Sequence, residues 1–135
     1  MSGGPVTQAR LRWAGGLRFD VSGAAAPLVV DGDGTAGPSP VFALVSSLAG
    51  CMAIDVVHIL GKARLPPSDL SVVVDAERSP KDPRRVLKVH LRFTYAGEVP
   101  KERVEHAIEL SRQTYCSVWH SLAKDIELTT EVVGS

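Results

Sequence analysis

Cys51 and Cys116 are the two cysteines of the chain and its strongest nucleophiles, and they stand sixty-five positions apart. That separation is no local Cys-x-x-Cys pair, so the sequence leaves open whether the sulfurs meet. Free cysteine is also among the most buried residue types, so inert core filling stands beside redox chemistry as a reading. Cys51 lies in Leu48-Ala49-Gly50-Cys51, inside a long apolar run. Gly50 there costs roughly 1 kcal/mol of helix propensity relative to alanine. Such a cost fits a close approach to the backbone, by a reacting group or by a crossing helix. Cys116 follows an amphipathic stretch near a predicted helix boundary. A helix starting just after it would lower its thiol pKa, because free N–H groups and the helix dipole favour a thiolate.

Asp55 and His58 follow Cys51 at i+4 and i+7, on one helical face. A Cys-Asp-His stripe has the chemistry of a metal site or of an activated nucleophile. Three ligands along two turns of one straight helix rarely converge on an ion, so no metal is expected. The favoured reading is that Asp55 and His58 hydrogen-bond across a subunit contact. His90, His106 and His120 read as surface or half-buried residues. Arg18 reads first as an exposed strand arginine. Its second reading is a guanidinium that stabilises a thiolate or orients a peroxide oxygen, work that its fixed fork of donors suits. Trp13, Phe42, Tyr115 and Trp119 are candidates to line an apolar substrate pocket. Core packing explains Trp13, Tyr115 and Trp119 equally well.

These residues need elements to hold them. Ala9, Leu11 and Trp13, then Gly15-Gly16, then Leu17, Phe19 and Val21 form two alternating runs around a double glycine, the pattern of a hairpin. A third strand follows at Pro27-Leu28-Val29-Val30 and ends in the flexible, turn-rich Asp31-Gly32-Asp33-Gly34. Ser39 as N-cap and Pro40 at the first helical position open a helix. Its run 41–60 is apolar around most of its circumference and must be covered on nearly all sides. One sheet covers one side, so a second subunit is expected to cover the rest. Gly61 suits its C-terminal stop. Leu87, Val89, Leu91, Phe93 and Tyr95 alternate with Lys88, His90, Arg92 and Thr94, a strand with one wet face. Its partner is 70–77, across a loop at 79–85. Pro100 opens a second helix, with Val104, Ala107, Ile108 and Leu110 on one stripe. It runs towards Tyr115-Cys116, a short helix continues through Val118 and Leu122, and Ile126, Leu128, Thr130 and Val132 make a final strand. The order is that of an α+β fold.

Composition narrows the function classes. The 135 residues are 44% hydrophobic and 22% charged, ordinary for a globular protein, and fifteen basic residues balance fifteen acidic ones. Zero net charge leaves no surplus to displace counterions, which argues against nucleic acid or an anionic membrane as partner. The longest apolar run, from Val41, is broken by Ser46, Ser47, Asp55 and His58, so no membrane span is expected. Residues 1–5 lack the basic-then-apolar start of a secretory leader. A reducing, cytoplasmic setting is therefore expected, in which two cysteines are not a permanent staple.

At this point the motifs align with a known family. Gly37-Pro38-Ser39-Pro40 followed by Ser47-Leu48-Ala49-Gly50-Cys51 resembles the first cysteine motif of the OsmC/Ohr family, and Tyr115-Cys116-Ser117-Val118 resembles the second. The Gly15-Gly16-Leu17-Arg18-Phe19 hairpin and the Asp125-Ile126-Glu127 end also fit, so the resemblance spans nearly all of a single domain at 1–135. It implies an intertwined homodimer, with antiparallel sheets packed around two buried central helices. It further implies a thiol-dependent peroxidase that reduces organic hydroperoxides to alcohols, without metal or other cofactor. By that likeness Cys51 is the peroxidatic thiol, Cys116 resolves its sulfenic acid as a disulfide, and an external dithiol restores both. In this family the dithiol is commonly a lipoyl protein. Peroxidases of the family carry a glutamate just after the proline of the first motif, pairing with an arginine beside the thiolate. Val41 stands there in this chain, with Phe42 next, which leaves Arg18 without that carboxylate; Asp55 lies a turn further along the helix. The alternative implied by this departure is a non-enzymatic relative that binds an apolar small molecule in the dimer cleft.

Overall fold

The structure is a computed structural model that describes residues 3–134, so the first two residues of the segment read for a leader lie outside the described residues. It divides into two compact units, the first reaching Leu44 and the second starting at Val45.

The first unit is an antiparallel meander of β1 (Arg10–Trp13), β2 (Arg18–Ser22) and β3 (Leu28–Asp31). The predicted double-glycine hairpin forms, with Trp13 opposite Phe19 and with Gly15 and Gly16 both at positive φ. Trp13 Nε1 closes it by donating to the Gly16 carbonyl at 2.9 Å. The stretch expected to be flexible after β3 is instead organised around Asp31. Its carboxylate accepts the N–H groups of Asp33 and Ala36 and the Thr35 hydroxyl at 2.9–3.0 Å. The Ala36 N–H first, then that of Asp33, holds the Asp31 carboxyl below the usual carboxylate range despite its burial. Among the described residues of this unit only Asp31 is buried, while Leu11, Leu17 and Leu28 stand exposed.

Helix α1 (Pro40–Lys62) starts where the sequence places it: the Phe42 N–H donates to Ser39 Oγ at 3.2 Å. Its stop is not Gly61, which lies within the helix. Arg64 adopts the left-handed conformation (φ 60°), the Leu65 N–H reaches back to the Leu60 carbonyl and the Arg64 N–H to that of Gly61. That is the Schellman arrangement with arginine at the usual glycine position. Leu48, Met52, Val56 and Leu60 recur every four residues and are essentially fully buried. Removing each from water contributes about 1.5–3 kcal/mol. The opposite face is bare: Ile54 is 69% exposed and Val57 51%. By length and composition alone, with a mean hydropathy of 1.9 over its apolar window, α1 is long and apolar enough to cross a membrane, a test that the core helix of a globular protein also passes.

The second unit adds β4 (Asp69–Arg78), β5 (Val86–Ala96), α2 (Lys101–Leu110), a π-helical turn (Ser111–Tyr115), α3 (Ser117–His120) and β6 (Glu127–Gly134). Strand β5 is central. It pairs antiparallel with β4, Leu70 opposite Tyr95, and parallel with β6, Lys88 beside Glu127. The sheet is thus mixed, and the helical segment between β5 and β6 is the crossover that a parallel pair needs. The alternation read in β5 holds: Val89, Leu91, Phe93 and Tyr95 are buried while Lys88, Arg92 and Thr94 are exposed. Val104, Ala107 and Ile108 of α2 complete the core.

Candidate active site

The two thiols are brought together from elements far apart in the chain. Cys51 sits midway along α1 and is half-buried; Cys116 is fully buried; both are free. Helix α2 delivers the second thiol by an unusual route. After Leu110 the chain widens into the π turn, and the Cys116 N–H donates to the Ser111 carbonyl at 2.8 Å. Cys116 then adopts extended backbone and caps α3, its sulfur accepting the Trp119 N–H at 3.3 Å. Turns of this width occur frequently at functional sites.

The expected lowering of the Cys116 pKa is overturned. Burial pushes this thiol up to about 11, against the opposing pull of the Trp119 N–H; hydrogen bonding to the Cys51 side chain and the negative charge of Cys51 as a thiolate raise it further. A four-residue helix has too few aligned peptides to offset loss of water. Cys116 therefore rests as a protonated thiol, able to donate to the Cys51 sulfur.

Between the elements that carry the two thiols is a residue that the sequence reading passed over. Ser111 is fully buried, and its hydroxyl donates to Asp55 Oδ2 at 2.7 Å. The stripe Val104, Ala107, Ile108 continues at helical spacing to Ser111, so a hydroxyl on an apolar face was the available signal. Asp55 thus has a partner in its own chain.

The other predicted residues are divided between the two units. His58 is exposed and, with Asp55, Ile59, Lys62, Leu110 and Tyr115, lines a cavity of about 410 Å³. Tyr115 is 58% exposed and Trp13 64%, so neither is a core residue. Trp119 is half-buried, and Phe42 borders a shallow cavity over the 34–39 loop of the first unit. Arg18 donates through Nε to Asp20 Oδ1 at 3.0 Å, on its own strand. A Cβ added at Gly50 would meet nothing within 4 Å; the glycine opens on an apolar groove of about 660 Å³ between α1 and β4. Among the described residues no other segment comes within 4 Å of that position, so a crossing helix of the same chain does not account for Gly50. His90 is half-buried, and His106 and His120 are exposed. Among the described residues no three His, Cys, Asp or Glu side chains gather as a metal site.

A protein-family model described as OsmC-like protein matches residues 32–131. Protein YhfA of Escherichia coli K12 is 37% identical over 125 residues, covering 90% of this chain and 93% of YhfA. The crystal structure of an OsmC-like protein from Mycoplasma pneumoniae superposes with a TM-score of 0.82 at 14% identity, over 96% of this chain and 97% of that one. A Legionella pneumophila structure, described as an organic hydroperoxide resistance protein OsmC and predicted redox protein, gives 0.71 at 14% identity, over 97% and 98%. Extent of match, sequence identity and shared topology agree, and the chain belongs to the OsmC/Ohr family.

Proposed function

We propose that the protein is a thiol-dependent reductase of organic hydroperoxides, with Cys51 as the attacking thiol and Cys116 as the resolving one. The observation that carries this reading is the pairing of two free thiols, one half-buried and one held protonated beside it. In the cycle, the Cys51 thiolate attacks the distal peroxide oxygen. An S–O bond forms, the O–O bond breaks, and the departing alkoxide takes a proton to become the alcohol. Cys116 then displaces the oxygen of the Cys51 sulfenic acid, its own proton leaving with that oxygen as water. An external dithiol, of which a lipoyl protein is one form, returns two electrons and two protons to the disulfide. The attack falls to Cys51 because a thiol raised to about 11 supplies little thiolate at neutral pH. The cycle is set in the cytoplasm, where dithiol reductants are maintained. The working unit is a homodimer, whose second copy would cover the bare face of α1.

Cumene hydroperoxide consumption with dihydrolipoamide as reductant tests the proposal. Cys51→Ser should abolish turnover. Cys116→Ser should leave an enzyme that over-oxidises to the Cys51 sulfinic acid, read by mass spectrometry. Wild-type protein that consumes no hydroperoxide with dithiols would sink the catalytic claim. One observation favours a second reading, the binding of an apolar small molecule: the groove between α1 and β4 is large and largely apolar. A lipid-like ligand seen by native mass spectrometry, together with peroxide-inert thiols, would decide for it.

A further inference from the structure

Ser111 uses its two polar groups in two directions, and each ends beside a thiol. Its hydroxyl reaches Asp55 Oδ2 at 2.7 Å, on the turn of α1 that follows Cys51. Its carbonyl takes the Cys116 N–H at 2.8 Å, across the width of the π turn. One fully buried residue therefore links the backbone of Cys116 to the helix that carries Cys51. A short hydrogen bond from a buried hydroxyl to a carboxylate belongs to the class that fixes geometry most firmly. We infer that Ser111, clamped by Asp55, is a positioning residue that sets the approach of Cys116 to Cys51 and so the ease of closing their disulfide. This rests on the thiol-pair reading above. A serine that only satisfies the Asp55 carboxylate would alter stability and leave thiol chemistry untouched.

The full chain, reduced and then exposed to oxidised dithiothreitol, separates these cases. The Cys51 thiolate attacks the reagent's S–S bond to give a mixed disulfide. Cys116 then closes the protein disulfide and releases dithiothreitol as its dithiol, two electrons and two protons having passed to the reagent. Ser111→Ala should close about tenfold more slowly and hold its disulfide about tenfold less well, which moves the potential up by about 30 mV. Ser111→Thr, which keeps the hydroxyl, should restore both. Asp55→Ala should reproduce the defect, and the double variant should add nothing further, since one bond is lost either way. Where Ser111→Ala fails to fold, Asp55→Asn carries the comparison: it keeps an acceptor and drops the charge, and should slow closure about threefold. Closure and potential at wild-type values in a folded Ser111→Ala or Asp55→Asn, with only the melting temperature lowered, would overturn the inference. Wild-type protein that never forms the Cys51–Cys116 disulfide would overturn the functional reading itself, and this inference with it.

Discussion

A thiol that resists ionisation in the fold makes stability depend on pH in a definite direction. Cys116 is raised from 9.0 to about 11, with burial as the leading cause. Below pH 9 both folded and unfolded chains hold the proton, and the contribution is fully present. Between 9 and 11 the unfolded chain gives up the proton while the folded one keeps it, so stability falls; above 11 the contribution is gone. Two pK units correspond to roughly 2–3 kcal/mol. Urea unfolding of phosphine-reduced protein at intervals from pH 8 to 11 measures the total. The same series on Cys116→Ala supplies the baseline, and the difference between the curves isolates the thiol. Thiolate at Cys116 should be about a hundredfold scarcer at pH 8 than in an ordinary cysteine, and alkylation correspondingly slow in the native protein. A difference curve flat from pH 9 to 11 would refute the reasoning. So would a native Cys116 that alkylates as fast as the denatured one.

Two further outcomes follow from backbone and charge. Arg64→Gly removes a side chain from the left-handed conformation and should raise stability by about 1 kcal/mol in chemical denaturation; an unchanged midpoint would mean that arginine makes compensating contacts. Asp31 has a lowered folded pKa, so its contribution is present above about pH 4, the unfolded value, and is lost as pH falls through the folded one. Asp31→Asn should therefore weaken the protection of β3 amides at neutral pH and flatten their loss of protection in acid, read by hydrogen exchange.

Much of the fold is legible where one local rule acts alone. Ser39-Pro40 announces the start of α1 because capping is settled within four residues, and β5 declares itself because alternation needs only a wet and a dry face. The end of α1 was misplaced for a related reason. Glycine is the cheapest residue at a left-handed stop, yet the chain runs past Gly61 and places Arg64 there, where the run of the chain towards β4 decides. The site was half-legible. The two cysteines and Asp55 are marked by residue type, but the link through Ser111 depends on the π turn, and no composition rule distinguishes SRQTY from ordinary α-helix. The direction of the Cys116 shift was lost similarly: the cap is readable in sequence, while the depth of burial that outweighs it is a tertiary property.

The parallel placement of β6 also bears on how the chain is made. β5 stands between β4, which precedes it directly, and β6, which begins at Glu127 beyond the whole crossover. As the polypeptide leaves the ribosome, β4 and β5 can pair early, yet one rim of β5 stays open until the final strand emerges. Pairings such as Lys88 with Glu127 carry high contact order and form late. A nascent chain halted before Glu127 would present an unsatisfied rim next to Leu91 and Phe93, the kind of surface that chaperones engage and that drives edge-to-edge association.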